Sequence, residues 1–155
     1  MKLRTILLSL MVIVLVACNK GPSEHVFTGT IDDMDVQSTV VVEGDDIQSE
    51  HLVYELSYEA GGIENDDEAK EAAEVQRETY ERLASNAPDG AVKVNVEVDE
   101  EKQAIIMTFD LDYTTPENVQ GLIEVGFLDG DKSASTVSFK ETKEQYEADG
   151  LKEQE

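Results

Sequence analysis

The sequence predicts an α+β domain, in which an antiparallel β-sheet of about five strands is packed on one face by a long helix and a C-terminal helix. The main observation is the alternation of apolar and polar residues over residues 92–98 and again over residues 105–111, which is typical of half-buried strands. The acidic turn at residues 99–102 joins them into an antiparallel hairpin. Two amphipathic helical segments are available to cover the apolar face of this hairpin.

The first 18 residues differ in character from the rest of the chain. Lys2 and Arg4 precede twelve residues, 6–17, that are apolar except for one serine. This run has the length of a secretory signal and is shorter than the roughly 20 apolar residues that span a membrane. Ala17 directly precedes Cys18, the only cysteine of the chain, and this arrangement resembles the lipobox of bacterial lipoproteins. We therefore expect the thiol of Cys18 to be lipidated.

These features divide the chain into three parts. We predict a lipoprotein signal peptide over residues 1–17, a lipidated cysteine and tether over residues 18–25, and a single domain over residues 26–152. The alternative is an ordinary secreted protein that is cut near Cys18 and keeps a free thiol without an intramolecular partner. Lipidation of Cys18 would place the protein on the cell membrane, facing the extracellular or periplasmic side.

Three further strands are predicted ahead of the long helix. Residues 27–31 and 36–42 are rich in β-branched side chains, and the acidic turn at residues 43–46 follows the second of these segments. Residues 47–58 then carry large apolar side chains at every second position from residue 52 onward. One face of this strand is therefore predicted to lie in the core.

The long helix is predicted to begin after Asn65, which can cap it, with Glu68 placed to complete a capping box. It is expected to run to about Asn86 and to end before the turn at residues 88–90. Its apolar side chains recur at spacings of three and four residues. They are Ala69, Ala72, Ala73, Val75, Tyr80, Leu83 and Ala84.

The C-terminal part contains a shorter helical pattern. Residues 117–127 suit a short helical or irregular segment. Ser138 and Glu141 form a second capping box, which predicts a helix through Tyr146 that stops at residues 149–150. The tail, residues 152–155, is predicted to be frayed.

The charge of the chain excludes one class of function. Thirty-five acidic and twelve basic residues give a formal net charge of −23. A protein that reads nucleic acid needs a basic surface for the phosphates, so we predict no nucleic-acid partner. The negative charge of the domain also repels anionic lipid, so we expect membrane contact through the lipid anchor alone.

No sequence motif assigns a catalytic or cofactor-binding residue. The two histidines, His25 and His51, fall in the tether and on the polar face of a strand, which favours surface positions over catalytic ones. The chain has no nucleophile elbow, phosphate loop or zinc-protease motif, although a catalytic triad can assemble in space from any spacing. We therefore predict a protein that is not an enzyme and needs no cofactor.

Asp129, Asp131 and Ser133 resemble the start of a calcium-binding loop. The likeness fails at the sixth position, where Ala134 replaces the glycine, and at the twelfth, where Lys140 replaces the bidentate glutamate. Other acidic clusters fall at turns and helix starts, where carboxylates are favourable without a ligand. No metal ligand is assigned, and a calcium-binding acidic module remains an alternative function.

Several short motifs follow one another along the chain. Besides the lipobox, they are the Gly44-Asp45 turn followed by Ile47, the charged helix over residues 69–83 leading to Gly90-Ala91-Val92, the strand over residues 105–112, the segment 118–122 and the final Gly150-Leu151. In this order they resemble the YehR-like family of small bacterial lipoproteins, over most of residues 26–152. The resemblance implies an antiparallel sheet covered by helices. It implies no activity, and the only functional residue that it transfers is the lipidated Cys18.

The sequence thus leads to three ranked expectations about function. The first is a membrane-anchored lipoprotein of the cell envelope that binds a partner, either an envelope protein or a small ligand. The second is an extracellular module that binds cations such as calcium. An enzyme ranks last, because no motif supports one.

Overall fold

The computed structural model describes residues 21–154, which form an antiparallel sheet packed against helices and confirm the predicted α+β class. The strands are β1 (Ser23–Ile31), β2 (Met34–Glu43), β3 (Asp46–Ser57), β4 (Val92–Asp99), β5 (Ala104–Asp112) and β6 (Lys152–Glu153). The helices are α1 (Tyr58–Gly61), α2 (Asp66–Ala84), α3 (Pro116–Val125) and α4 (Phe139–Ala148). The predicted signal peptide, residues 1–17, and Cys18 lie outside the described residues.

The strand order across the sheet is β4-β5-β3-β2-β1-β6, and every neighbouring pair is antiparallel. The predicted alternation on β4 and β5 is confirmed, because Val96 and Phe109 are buried while Glu97 and Asp110 are exposed. Inward and outward side chains alternate along a strand, so each strand contributes one apolar face. The inward faces of the five long strands form a continuous surface, which α2, α3 and α4 cover.

The sheet has one strand more than predicted, at its β1 edge. We predicted that residues 152–155 would be frayed, and this is wrong for Lys152–Glu153, which pair with β1 as β6. Leu151, which is 2% exposed, holds this segment in place by packing against Gly29. β1 is also longer than predicted, because residues 23–25 of the predicted tether pair with β2.

The helix α2 has the predicted N-terminal cap. The Asn65 side chain accepts hydrogen bonds from the backbone N–H groups of Asp67 and Glu68, both at 3.1 Å. The prediction that Val75 faces the core is wrong, since its side chain is 64% exposed. The buried stripe of α2 runs through Ala69 and Ala73, and Val75 lies about 200° around the helix from Ala73. None of the helices within residues 21–154 is long and apolar enough to span a membrane.

The helix α3 contains a glycine at a point of close approach. A β-carbon at Gly121 would lie 2.2 Å from Cδ of Pro88, in the turn that follows α2. This distance is far below van der Waals contact, so the absence of a side chain at this position lets α3 pack against the turn. Gly121 belongs to the 118–122 segment singled out in the sequence.

We therefore expect the variant Gly121→Ala to destabilise the domain. In an open helix this change is stabilising by about 1 kcal/mol, whereas overpacking costs about 1–3 kcal/mol. Urea denaturation should show a net loss of stability, and the loss should be smaller when the change is made in a Pro88→Ala background. An increase in stability of the single variant would contradict the proposed close packing.

Candidate functional site

A charged side chain lies in the core, on the face of the sheet that the helices cover. Glu50 of β3 is only 6% exposed, and within residues 21–154 it shares this burial with one other polar residue, Ser38 of β2. Glu50 faces inward in phase with Leu52 and Tyr54, and a β-bulge lies just before it, where Val41 pairs with Ser49 while Val42 pairs with Ile47. The extra residue in β3 shifts the alternation by one position, so that both Ile47 and Glu50 face the core.

Three hydroxyl groups converge on the Glu50 carboxylate. Ser38 Oγ donates to Oε1 at 2.6 Å, the Tyr146 hydroxyl also donates to Oε1, and the Tyr113 hydroxyl donates to Oε2 at 2.8 Å. These donors come from β2, from α4 and from the residue that follows β5. Among the ion pairs of residues 21–154, none involves Glu50. The buried carboxylate is therefore held by neutral donors.

The surroundings of the two tyrosines at this site raise the pKa of their hydroxyl groups. Burial, followed by the negative charge of Glu50 and the hydrogen bond to it, raises the pKa of Tyr113 well above its usual value. The same three causes raise the pKa of Tyr146. Both phenols therefore keep their protons at physiological pH, and both remain hydrogen-bond donors to the carboxylate.

A cavity of about 720 Å³ opens beside these groups. It lies between β3, α3, α4 and the connection between the two helices. Glu50, Tyr113 and Tyr146 form its polar part, and Leu52, Tyr54, Ile123 and Phe127 contribute apolar walls. Each residue with a charged side chain that lines the cavity is acidic. These residues are Glu50, Asp129, Asp131, Glu141 and Asp149.

The helix α4, which covers part of this cavity, is attached at its start. As predicted, Ser138 is the N-cap, and its side chain accepts a hydrogen bond from the N–H of Glu141 at 3.3 Å. Asp45, in the turn between β2 and β3, strengthens this end by accepting from Ser138 Oγ at 2.9 Å and from the N–H of Lys140 at 3.1 Å. The Gly44-Asp45 turn therefore has a structural role in placing α4.

The middle of α4 is attached through a second cluster. The carboxylate of Glu153, in β6, accepts from Lys143 of α4 and lies 2.6 Å from Nδ1 of His25 in β1. The hydrogen bond from Lys143, and then that from His25, lowers the pKa of Glu153. None of the side chains of α4 is fully buried, so its attached N-terminus, Lys143 and Tyr146 determine its position over the cavity.

Of the residues considered from the sequence, Asp129 and Asp131 line the cavity, whereas the two histidines lie away from it. His25 is half-buried beside Phe139, and His51 is exposed on the outer face of the sheet, where its Nδ1 lies 2.7 Å from the Asp110 carboxylate. Asp131 accepts hydrogen bonds from both the N–H and the hydroxyl of Ser133, which lower its pKa. Within residues 21–154, no three His, Cys, Asp or Glu side chains are grouped so as to hold a metal ion.

The cluster around Glu50 was not predicted, although the sequence contains a signal for it. Glu50 is in phase with Leu52 and Tyr54 on the apolar face of its strand, and Ser38 interrupts the valine-rich β2. A polar residue at an inward position of a strand indicates a buried polar group that needs partners. The partners Tyr113 and Tyr146 come from distant parts of the chain, and no local pattern identifies them.

Comparison with known proteins identifies the fold. No protein-family model and no curated protein sequence matches the chain. The NMR structure of the E. coli YehR protein is similar, with a TM-score of 0.59 and 15% identity over 86% of this chain and 91% of that one. The NMR structure of a protein from Streptococcus pneumoniae TIGR4 is also similar, with a TM-score of 0.56 and 13% identity over 99% of this chain and 98% of that one. The chain thus shares its fold with both proteins.

Proposed function

We propose that this chain is a YehR-like lipoprotein of the bacterial cell envelope, anchored through Cys18, with a domain that binds a small ligand in the cavity beside Glu50. The main support for ligand binding is the buried Glu50 carboxylate at the wall of a cavity. A concave, largely apolar site with a few converging polar groups is the usual form of a small-molecule site. The lipobox supports the assignment to the envelope, and the fold shared with YehR supports the YehR-like assignment.

The burial of Glu50 favours a binding role because a charged group is costly to bury. Burial of an ionised carboxylate is tolerated when the charge is paired or fully hydrogen-bonded. Glu50 has three donors and no ionic partner among the described residues, and it adjoins a cavity large enough for a small molecule. A ligand in this cavity would reach the carboxylate directly.

The proposed anchor would keep this site close to the membrane. Four residues, 19–22, lie between Cys18 and Ser23, the first residue of β1. Even fully extended, the five steps from Cys18 to Ser23 span at most about 18 Å. The domain would therefore sit at the membrane surface and sample ligands there.

The anchor is tested by the variant Cys18→Ser. Serine lacks the thiolate that attacks the lipid donor, so we expect the variant to lose both lipidation and cleavage after Ala17. Mass spectrometry of the wild-type N-terminus should show a peptide that begins with a lipid-modified Cys18. A wild-type peptide from intact membranes that begins at unmodified Asn19 or later would disprove the anchor. Membrane association alone is not decisive, because the uncleaved variant keeps its apolar segment.

The binding site is tested by filling the cavity. Ala134 lines the cavity, so Ala134→Trp should occupy the space of a ligand, whereas Ala148→Trp places the same side chain at an exposed position of α4. In a ligand-observed NMR screen of small polar and charged compounds against the full-length protein in a neutral detergent, some compounds should bind the wild type and Ala148→Trp but not Ala134→Trp. A screen in which no compound distinguishes the two variants would disprove the cavity as a binding site.

A further inference from the structure

The hydrogen bonds at Glu50 leave part of the carboxylate available. An ionised carboxylate accepts about four hydrogen bonds, two on each oxygen. Oε1 accepts from Ser38 and Tyr146, and Oε2 accepts from Tyr113. One acceptor position therefore remains on Oε2 of a residue that lines the cavity. A ligand group that meets Glu50 here must be a hydrogen-bond donor.

The negative charge of the cavity lining indicates which kind of donor group a ligand would carry. The negative charge of Glu50 has no ionic partner among the described residues, and the other charged side chains that line the cavity are acidic as well. An anionic ligand would be repelled by all of these groups. A cationic donor would both fill the free acceptor position and neutralise the buried charge.

The shape of the site favours an organic cation over a metal ion. Three of the carboxylate's acceptor positions are already occupied by hydroxyl groups, and the described residues do not gather three metal-ligating side chains. The adjoining walls are formed by Leu52, Tyr54, Ile123 and Phe127. Such walls suit an apolar body, and aromatic faces also attract ammonium groups.

We propose that the ligand of this cavity is a small organic cation, in which a primary or secondary ammonium group donates to Glu50 and an apolar body lies against Tyr54 and Phe127. This inference rests on the proposed binding function and names the class of ligand that it serves. Glu50 is the residue that selects for positive charge, and Tyr113 and Tyr146 position its carboxylate.

The experiment compares three probes that share a phenyl body and differ in charge. The probes are 2-phenylethylammonium, 2-phenylethanol and 3-phenylpropionate, titrated into the full-length protein in a neutral detergent and followed by NMR. We expect the ammonium ion to bind at least about tenfold more tightly than the alcohol and the carboxylate, as a charge-assisted hydrogen bond predicts. Its binding should shift the resonances of Glu50 and Tyr113.

The variant Glu50→Gln should weaken binding of the ammonium ion by about tenfold or more. Glu144→Gln, which removes one charge from an exposed site outside the cavity, should change it by less than about twofold. If Glu50→Gln does not fold, the preference of the wild-type protein among the three probes decides the question.

The outcomes separate this inference from the function on which it rests. Preference for the alcohol or the carboxylate, or hits confined to neutral and anionic compounds in the cavity screen, would overturn the cation assignment and leave the binding function standing. A cavity screen without any compound that distinguishes Ala134→Trp from Ala148→Trp would overturn both.

Discussion

Replacement of Phe109 by aspartate is expected to prevent the domain from folding. Phe109 is 5% exposed, and its ring lies 4.9 Å from that of Tyr80, 5.9 Å from Phe127 and 6.0 Å from Tyr54, measured between centroids. These contacts join β5 to α2, to β3 and to the segment after α3. Loss of a core phenylalanine alone costs about 3–5 kcal/mol, and a buried, unpaired carboxylate adds to this cost.

The sum of these effects approaches the whole stability of a typical domain, which is about 5–15 kcal/mol. Far-UV circular dichroism and the soluble yield of the variant should both show an unfolded chain. Two changes on the outer face of β4 serve as controls, Asn95→Asp and Glu97→Lys, since both positions are exposed. We expect both controls to fold. Equal losses in all three variants would contradict the assignment of the inward and outward faces.

The sequence predicted most of the fold because its signals are local. Alternation on β4 and β5 determined which face is buried, and the caps at Asn65 and Ser138 determined where two helices begin. Each of these signals involves neighbouring residues, so one segment of sequence is sufficient to detect it. The resemblance to YehR-like proteins agreed with the observed fold for the same reason, because it rests on the order of such segments.

The features that were missed depend on contacts between distant residues. Lys152–Glu153 form a strand because Leu151 packs against Gly29, more than 120 positions earlier in the chain. This contact arises from tertiary packing, which a helical or strand period does not encode. Val75 is a different kind of error. It was assigned to the core because it lies three residues after Ala72, but it points about 200° away from Ala73 on the buried stripe.

The cluster at Glu50 was also missed because it depends on distant residues. Glu50 points inward in phase with Leu52 and Tyr54, but its donors come from β2, from α4 and from the residue that follows β5. The same hydrogen bonds that hold the carboxylate also attach Tyr146, and with it α4, to the sheet. Stability and the proposed binding site therefore depend on the same side chains, and this dependence can be measured through the two tyrosines.

The double variant Tyr113→Phe with Tyr146→Phe is expected to lose much of its stability at neutral pH. It removes two of the three donors to Glu50 while leaving the carboxylate buried. A hydrogen bond to a charged group contributes about 1.5–3 kcal/mol, so the combined loss should be about 3–6 kcal/mol. Urea denaturation at pH 7 measures this loss. Tyr80→Phe, a change at a tyrosine that packs on Phe109, is the matched control and should cost much less.

The gap between the wild type and the double variant should narrow as the pH rises through about 10. Folding raises the pKa of both tyrosines, whereas an unfolded tyrosine ionises near pH 10. Above this pH the unfolded wild type releases protons that the folded protein still holds, so the stabilisation that is fully present below pH 10 is lost as the pH rises. The double variant lacks both groups and should lose less stability between pH 9 and about 11. A constant difference in unfolding free energy across this range would show that these two tyrosines are not the protonated donors that hold the Glu50 carboxylate.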